Sequence, residues 1–283
     1  MLKTEGNYNT LLGIAKTILR NLHKNHEIFV CEMAAYRRDD IKTITRLIKP
    51  TIGIITAIGP MHLERFGTEE NILKTKLELI ESLPLNGIGF LPKELEQQIA
   101  KYSRNSDNGS KDKIEFFLSQ EDLLIKIGKV FGIEKEEVLG RLKTALETPH
   151  RREIIKTSSG ITIIDDTYNS NPAGFLSALE FLKNTPAQKR ILVTPGMIEL
   201  GHRQFELNKE AARSAAQIAD YVIIVGETNK PAFEEGLKEV YGNDYSAKVY
   251  EAVDLDEAKL KLSELTIQNS VILLENDLPD HYF

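Results

Sequence analysis

The chain holds a single cysteine, Cys31, in 283 residues, so it forms no internal disulfide and fits a reducing compartment. Nowhere do eighteen apolar residues follow one another, and nothing in the sequence reads as a membrane span. The opening residues, Met1-Leu-Lys-Thr-Glu-Gly-Asn7, lack the apolar stretch of a secretory signal. The cytoplasm is therefore the expected location, with no membrane partner. A basic surplus is missing too: 36 Lys and Arg stand against 42 Asp and Glu, for a net charge of −6. A general nucleic-acid binder needs the opposite balance. The phosphate-binding signature G-x-x-x-x-G-K-[ST] occurs nowhere; Gly128-Lys129-Val130 lacks both the leading glycine and the hydroxyl. What is present, 41% hydrophobic and 28% charged residues, describes a globular protein large enough for two domains.

The order of apolar runs points to an α/β fold. Buried-strand patterns at 27–31, 53–58 and 87–91 alternate with helical periodicity at about 10–23, 39–48 and 69–83. A polar, glycine-containing stretch at 103–113 reads as an exposed loop, and helical patterns follow near 119–131 and 134–146. After Pro149 a second series begins, with strands at 161–164, 191–194, 221–225, 247–250 and 270–274 and helices at about 173–183, 204–219, 231–241 and 255–265. Five strands with helices between them predict a doubly wound sheet, in which ligands sit beyond the carboxyl ends of the strands. Two domains, 1–148 and 149–283, are expected.

Lys76 is the residue most out of place. In the helix at 69–83, Ile72, Leu73, Leu77, Leu79, Ile80 and Leu83 gather on one arc at about 100° per residue. Lys74, Glu78 and Glu81 fall on the other side, but Lys76 falls inside the apolar arc. A buried ammonium is costly, so this lysine must snorkel to the rim, find a partner or be chemically altered.

Two further residues stand where function is placed in such folds. Glu32 follows the first strand of the early series and His62 the second, so both are expected at the carboxyl edge. Each also has an ordinary explanation, Glu32 pairing with Arg37 or Arg38 and His62 capping a turn. Together, a carboxylate and an imidazole near an odd lysine suit a hard cation. In the second half, Asp165-Asp-Thr-Tyr-Asn-Ser-Asn-Pro172 links a strand to a helix. Asn171 and Pro172 are explained by helix capping, whereas Asp165, Asp166 and Asn169 suit recognition of a ribose, base or phosphate. Pro149-His-Arg-Arg-Glu153 lies at the domain junction, and Glu199-Leu-Gly-His202 follows the next strand.

Four segments together resemble the Mur ligase family, whose members build the peptide of bacterial cell-wall precursors. They are Thr4-Glu-Gly-Asn-Tyr-Asn9 with Gly13; Glu32 with Ile58-Gly-Pro-Met-His-Leu-Glu-Arg-Phe-Gly67 and Glu70-Asn-Ile-Leu-Lys-Thr-Lys76; His150-Arg151; and Ile164 to Pro172 with Met197-Ile-Glu-Leu-Gly201. The run from Asp165 to Pro172 is most similar to that of members joining D-alanyl-D-alanine to a UDP-muramoyl tripeptide. The resemblance implies a shortened Mur ligase central α/β domain followed by a Rossmann-like C-terminal domain. It also implies ATP-dependent amide synthesis through an acyl phosphate. Glu32 and His62 would hold Mg2+ together with Lys76, which would carry a carbamate. Arg151 would reach the γ-phosphate, Asp166 the ribose, and His150 and Asn169 the nucleotide. Thr4, Asn7 and Asn9 would face the UDP-sugar peptide.

The pattern also departs from the family. The phosphate-binding loop and the N-terminal UDP-binding domain are missing, the central domain is short between about 92 and 119, and Gly196 stands where many relatives have aspartate. A partner supplying the loop is one way to complete the site. Two rival functions follow: a non-catalytic module that binds nucleotide or muramyl peptide, and a folylpolyglutamate-synthase-like ligase. The Tyr168-Asn-Ser-Asn-Pro172 run argues against the latter.

Overall fold

The structure is a computed structural model that describes residues 1–6, 8–103, 114–144, 152–168 and 171–277. The chain forms two compact units, Met1–Ala145 and Leu146–Phe283. In the first, the elements run β1 (Leu2–Lys3), α1 (Leu11–Asn21), β2 (Phe29–Val30), α2 (Asp40–Ile48), β3 (Ile52–Ile54), α3 (Leu63–Phe66), α4 (Glu69–Glu81), β4 (Ile88–Pro92), α5 (Glu96–Ser103), β5 (Ile114–Phe117), α6 (Gln120–Val130) and α7 (Lys135–Leu142). β1 pairs with β2, and separately β3, β4 and β5 form a second sheet in that order, with every pairing parallel.

Local chemistry sets the helix that carries Lys76. Thr68 caps α4 by accepting from the Asn71 N–H, and Glu69 and Glu70 place negative charge at the positive end of the helix dipole. The helix ends where Ser82 turns its hydroxyl back onto the Glu78 carbonyl, two residues before Pro84. Its buried side, Leu77, Ile80 and Leu83, packs with Ile55, Leu91 and Leu95. Each such side chain contributes about 1.5–3 kcal/mol. Gly128 and Lys129, the nearest approach to a phosphate loop, lie inside α6 and form no loop.

The second unit contains β6 (Glu153–Lys156), β7 (Thr162–Asp166), α8 (Pro172–Asn184), β8 (Lys189–Thr194), α9 (Gln204–Ala216), β9 (Tyr221–Val225), α10 (Lys230–Tyr241), α11 (Tyr245–Lys248), β10 (Val249–Ala252), α12 (Leu255–Leu265) and β11 (Ser270–Glu275). Its sheet has the order β10-β9-β8-β11-β7-β6. The five strands expected from the sequence are parallel, and β6 adds a sixth, antiparallel edge strand. Alternate side chains face opposite ways. Ile164, Leu192, Val222, Ile224 and Leu273 meet α8, α9 and α10, whereas Ile191, Val193, Ile223 and Ile272 meet α12. Asn171 caps α8 through the Gly174 N–H, with Pro172 in the first turn as expected.

Candidate functional site

In the first unit the candidate residues sit on the loops after β2 and β3 and on the helix that follows. Glu32 lies two residues beyond β2. Its N–H donates to Thr4 Oγ1 at 3.2 Å, and its carboxylate accepts from Asn9 Nδ2 at 3.4 Å. Thr4 is held in turn by donating its own N–H to the Val30 carbonyl, and Asn9 by accepting from the Ala34 N–H. Both residues expected at a substrate therefore steady Glu32. Of the two arginines offered as ordinary partners for Glu32, Arg37 instead bonds Asp40.

His62 occupies the N-cap position of α3 in the left-handed region, φ 58°, and its side chain makes no cap bond. Gly67 ends that short helix at φ 74°, where a glycine avoids the Cβ penalty. The His62 imidazole instead meets Tyr36 edge-on, ring centroids 5.0 Å apart. The Arg65 guanidinium stands 4.8 Å from the centre of the same tyrosine ring. Leu63, Phe66 and Ile72 form a small apolar cluster, joined by Ala35 and Ile58. That cluster brings together the loop after β2, the loop after β3, α3 and α4.

Lys76 is half-buried and donates from Nζ to the Ala57 carbonyl at 3.2 Å. It does not lie free in solvent, and among the described residues it meets no carboxylate. Burial pushes its ammonium below the ordinary lysine pKa, because removal from water penalises the charged form.

Glu78 corrects the sequence reading. The helical periodicity puts it on the polar face of α4, yet it is only 6% exposed. Its Oε1 accepts from the Asp39 N–H at 2.8 Å and its Oε2 from the Lys42 N–H at 3.0 Å. These are orphan donors at the start of α2, whose N-cap Asp39 makes no side-chain cap bond. Glu78 thus caps α2 from a neighbouring helix. Hydrogen bonds to a charged group are worth about 1.5–3 kcal/mol each, enough to offset much of the several kcal/mol that burying a carboxylate costs. Thr45 of α2 and Ser82 add a hydroxyl–hydroxyl bond of 2.8 Å between the same two segments.

Glu32, His62 and a modified Lys76 would offer donor types that suit magnesium. Among the described residues no group of three or more His, Cys, Asp or Glu could hold a metal ion. Glu32 and His62 offer one carboxylate and one imidazole, and Mg2+ favours oxygen ligands. A carbamate on Lys76 would supply the further carboxylate, and the partly buried amine with its lowered pKa suits that modification.

In the second unit the carboxyl ends of β7, β8 and β11 carry a polar cluster. Asp166 pairs with Arg152 at 3.4 Å, and its carbonyl accepts from the Asn276 N–H. The Asn276 side chain donates to the Gly196 carbonyl. Asn208 accepts from the Met197 N–H at 2.8 Å and donates to the Met197 carbonyl at 2.9 Å, while Asn229 donates to the Pro195 carbonyl at 2.9 Å. Buried amides thus grip the turn at 195–197, where Gly196 has φ 77°. Asp165 is explained locally, since its Oδ1 accepts from the Thr167 N–H and hydroxyl. Asn7, His150, Arg151 and Asn169 lie outside the described residues. The sequence reading missed Tyr36, Glu78, Arg152 and the asparagines 208, 229 and 276.

The Mur ligase middle domain model matches residues 1–140, and the Mur ligase, glutamate ligase domain model matches residues 150–275. Among curated relatives, UDP-N-acetylmuramoyl-tripeptide--D-alanyl-D-alanine ligase of Bacillus subtilis (strain 168) is 29% identical over 241 residues, covering 74% of this chain and 52% of the relative. The ligase of that name from Synechocystis is 24% identical over 274 residues, covering 86% and 60%. The chain spans about half the length of the curated relatives it matches. Among solved structures, MurF from Acinetobacter baumannii matches with TM-score 0.80 at 20% identity, covering 98% of this chain and 67% of that one. MurF ligase from Thermotoga maritima in complex with ADP gives 0.77 at 22% identity, covering 98% and 70%.

Proposed function

Because the chain belongs to the Mur ligase family, we propose that it is the core of an ATP-dependent amide ligase that joins D-alanyl-D-alanine to a UDP-muramoyl tripeptide. Residues 1–148 serve as a shortened central domain and 149–283 as the C-terminal domain. The observation that carries this reading is Lys76, half-buried and with its ammonium disfavoured, on a helix tied to the loops of Glu32 and His62.

Lys76 does its work as a carbamate. Its neutral amine adds to carbon dioxide, a nitrogen–carbon bond forms, one N–H proton passes to solvent, and a carboxylate results. The product keeps one N–H for the Ala57 carbonyl, so the existing contact serves both states. Glu32, His62 and the Lys76 carbamate would hold Mg2+, which would neutralise charge on the phosphate oxygens. The tripeptide carboxylate attacks the γ-phosphorus of ATP, and the bond to the bridging oxygen breaks to release ADP. The amine of D-alanyl-D-alanine then adds to the acyl-phosphate carbonyl. Loss of the amine proton and of inorganic phosphate leaves the amide. Such chemistry depends on positioning and charge neutralisation.

Arg151 is assigned to the γ-phosphate, since a guanidinium binds phosphate oxygens in pairs. Asp166 takes the ribose, with His150 and Asn169 beside the nucleotide. Thr4, Asn7 and Asn9 face the UDP-peptide, Thr4 and Asn9 while also steadying Glu32. The work is cytoplasmic, where ATP and the nucleotide sugar are made. No helix among the described residues is long and apolar enough to cross a membrane.

The phosphate-binding loop comes from a further stretch of polypeptide. Support lies in the two separate parallel sheets of the first unit, which leave a backbone edge on β2 and on β3 for an added strand. A second reading is a module that binds nucleotide or muramyl peptide without turnover. Phosphate release from ATP, dependent on UDP-muramoyl tripeptide and D-alanyl-D-alanine, tests the choice. Release requiring both substrates supports the ligase, and nucleotide binding without release supports the module. Release with folate and glutamate instead would mark a folylpolyglutamate-synthase-like enzyme.

A further inference from the structure

Two residues outside the candidate ligand set connect its three parts. Tyr36 lies four residues after Glu32 and puts its ring edge-on to the His62 imidazole at 5.0 Å. Its backbone is pinned: the Tyr36 and Arg37 N–H groups donate to Asp40 Oδ2 at 3.0 and 3.1 Å. Asp40 opens α2, and the start of α2 is capped by Glu78, which sits two residues after Lys76 on α4. The path from Lys76 through Glu78, α2, Asp40 and Tyr36 to His62 uses specific bonds or ring contact beyond the two helices. Arg65, on the turn that His62 begins, stands over the ring of Tyr36.

We propose that Tyr36 and Glu78 are positioning residues of this site: Tyr36 orients the His62 ring, and Glu78 locks the Glu32–Tyr36 loop to the helix bearing Lys76. The inference rests on the metal reading given above. Neither residue coordinates the ion. Tyr36 limits the rotation of the imidazole through their ring contact, and a ligand held in one orientation binds a cation better than one that must be ordered first. Glu78 acts at longer reach. Without it, two N–H groups at the start of α2 lose their acceptor, and the loop that α2 anchors loses its fixed distance from α4.

The test uses the full chain with Mn2+ as probe, titrated in bicarbonate buffer and followed by water-proton relaxation. The His62 ring signals are read in parallel by NMR without metal, assigned by their loss in His62→Gln. Tyr36→Ala and Glu78→Ala are expected to weaken Mn2+ binding about tenfold or more. Tyr36→Phe, which keeps the ring, is expected to stay within about twofold of wild type on the same reasoning. The His62 signals should move in Tyr36→Ala and hold in Tyr36→Phe. Should Glu78→Ala fail to fold, Glu78→Gln, with one acceptor oxygen left, takes its place and is expected to stay folded at the temperature of the titration, with a lowered midpoint of thermal unfolding, and to bind Mn2+ more weakly than wild type. Wild-type affinity in Tyr36→Ala with unmoved His62 signals overturns the role of Tyr36, and wild-type affinity in the folded Glu78 variant overturns that of Glu78. A wild-type chain that takes up no Mn2+ removes the metal reading itself and the positioning role with it.

Discussion

The side chain of Lys76 reaches back across 19 residues to donate to the carbonyl of Ala57 at 3.2 Å. This contact takes a lysine from the apolar arc of α4 and aims it at the loop that leads from β3 to His62. A backbone carbonyl satisfies one donor but brings no negative charge to balance the ammonium. The lowered pKa of the group follows from that burial. The pairing explains why a lysine is tolerated there and why its neutral form is within reach.

Lys76→Ala is expected to reduce magnesium-dependent ligation, measured with the phosphate loop supplied, by about a hundredfold, the scale of losing one charge-stabilising group. Added formate or acetate should restore part of the rate by standing in for the lost carboxylate. Unchanged activity would remove Lys76 from the mechanism.

Carbamate formation should follow the neutral amine. Because the folded-state pKa of Lys76 lies below that of an ordinary lysine, the uncharged fraction at a given pH is larger and grows as pH rises. NMR in 13C-bicarbonate is expected to show a protein carbamate signal that strengthens from neutral to mildly alkaline pH and is absent in Lys76→Ala. A signal that survives the substitution would place the modification elsewhere.

Gly196→Ala should destabilise the second unit. A Cβ there would stand 2.6 Å from Asn208 Oδ1 and 2.9 Å from Asn229 Cβ, at a backbone φ of 77°. The left-handed conformation alone costs a side-chain-bearing residue about 1–2 kcal/mol, and crowding adds about 1–3 kcal/mol. Urea unfolding measures the loss; a stability equal to wild type would show that the asparagine clamp yields easily.

Acid should loosen the join of α9 and α10. Glu239 bonds Arg213 and Lys209, and these partners hold its pKa at about 2 against an ordinary 4.5. A depressed carboxylate contributes stability that is present above its unfolded pKa and disappears as pH falls towards the folded value. Wild type should therefore lose melting temperature between about pH 4.5 and pH 2, and Glu239→Gln should differ from it less at pH 2 than at pH 7. Parallel curves for the two proteins would contradict this.

Much of the fold was legible because its strongest signals are local. The 3.6-residue periodicity of α4, α9 and α10 and the apolar runs of β8, β9 and β11 are visible in the sequence alone. β1 has two residues, too few for any period, and β5 follows directly after the polar stretch that was read as loop. β6 was hidden because it is an antiparallel edge with Ile154 and Ile155 both exposed, so it shows no alternation. Glu32, His62 and Lys76 were legible as chemically odd residues at strand ends and in an apolar arc. Glu78 was not, because a glutamate opposite a helix's apolar arc reads as solvated unless another helix end is known to lie there. Tyr36 and His62 are 26 positions apart, and no local pattern links them.

The most direct measurement is anomalous diffraction from a crystal soaked in Mn2+ and bicarbonate. An ion between the Glu32 carboxylate, the His62 imidazole and a carbamate on Lys76 is the predicted result. Clear density for those three side chains, with the ion bound elsewhere and Lys76 unmodified, would contradict the account.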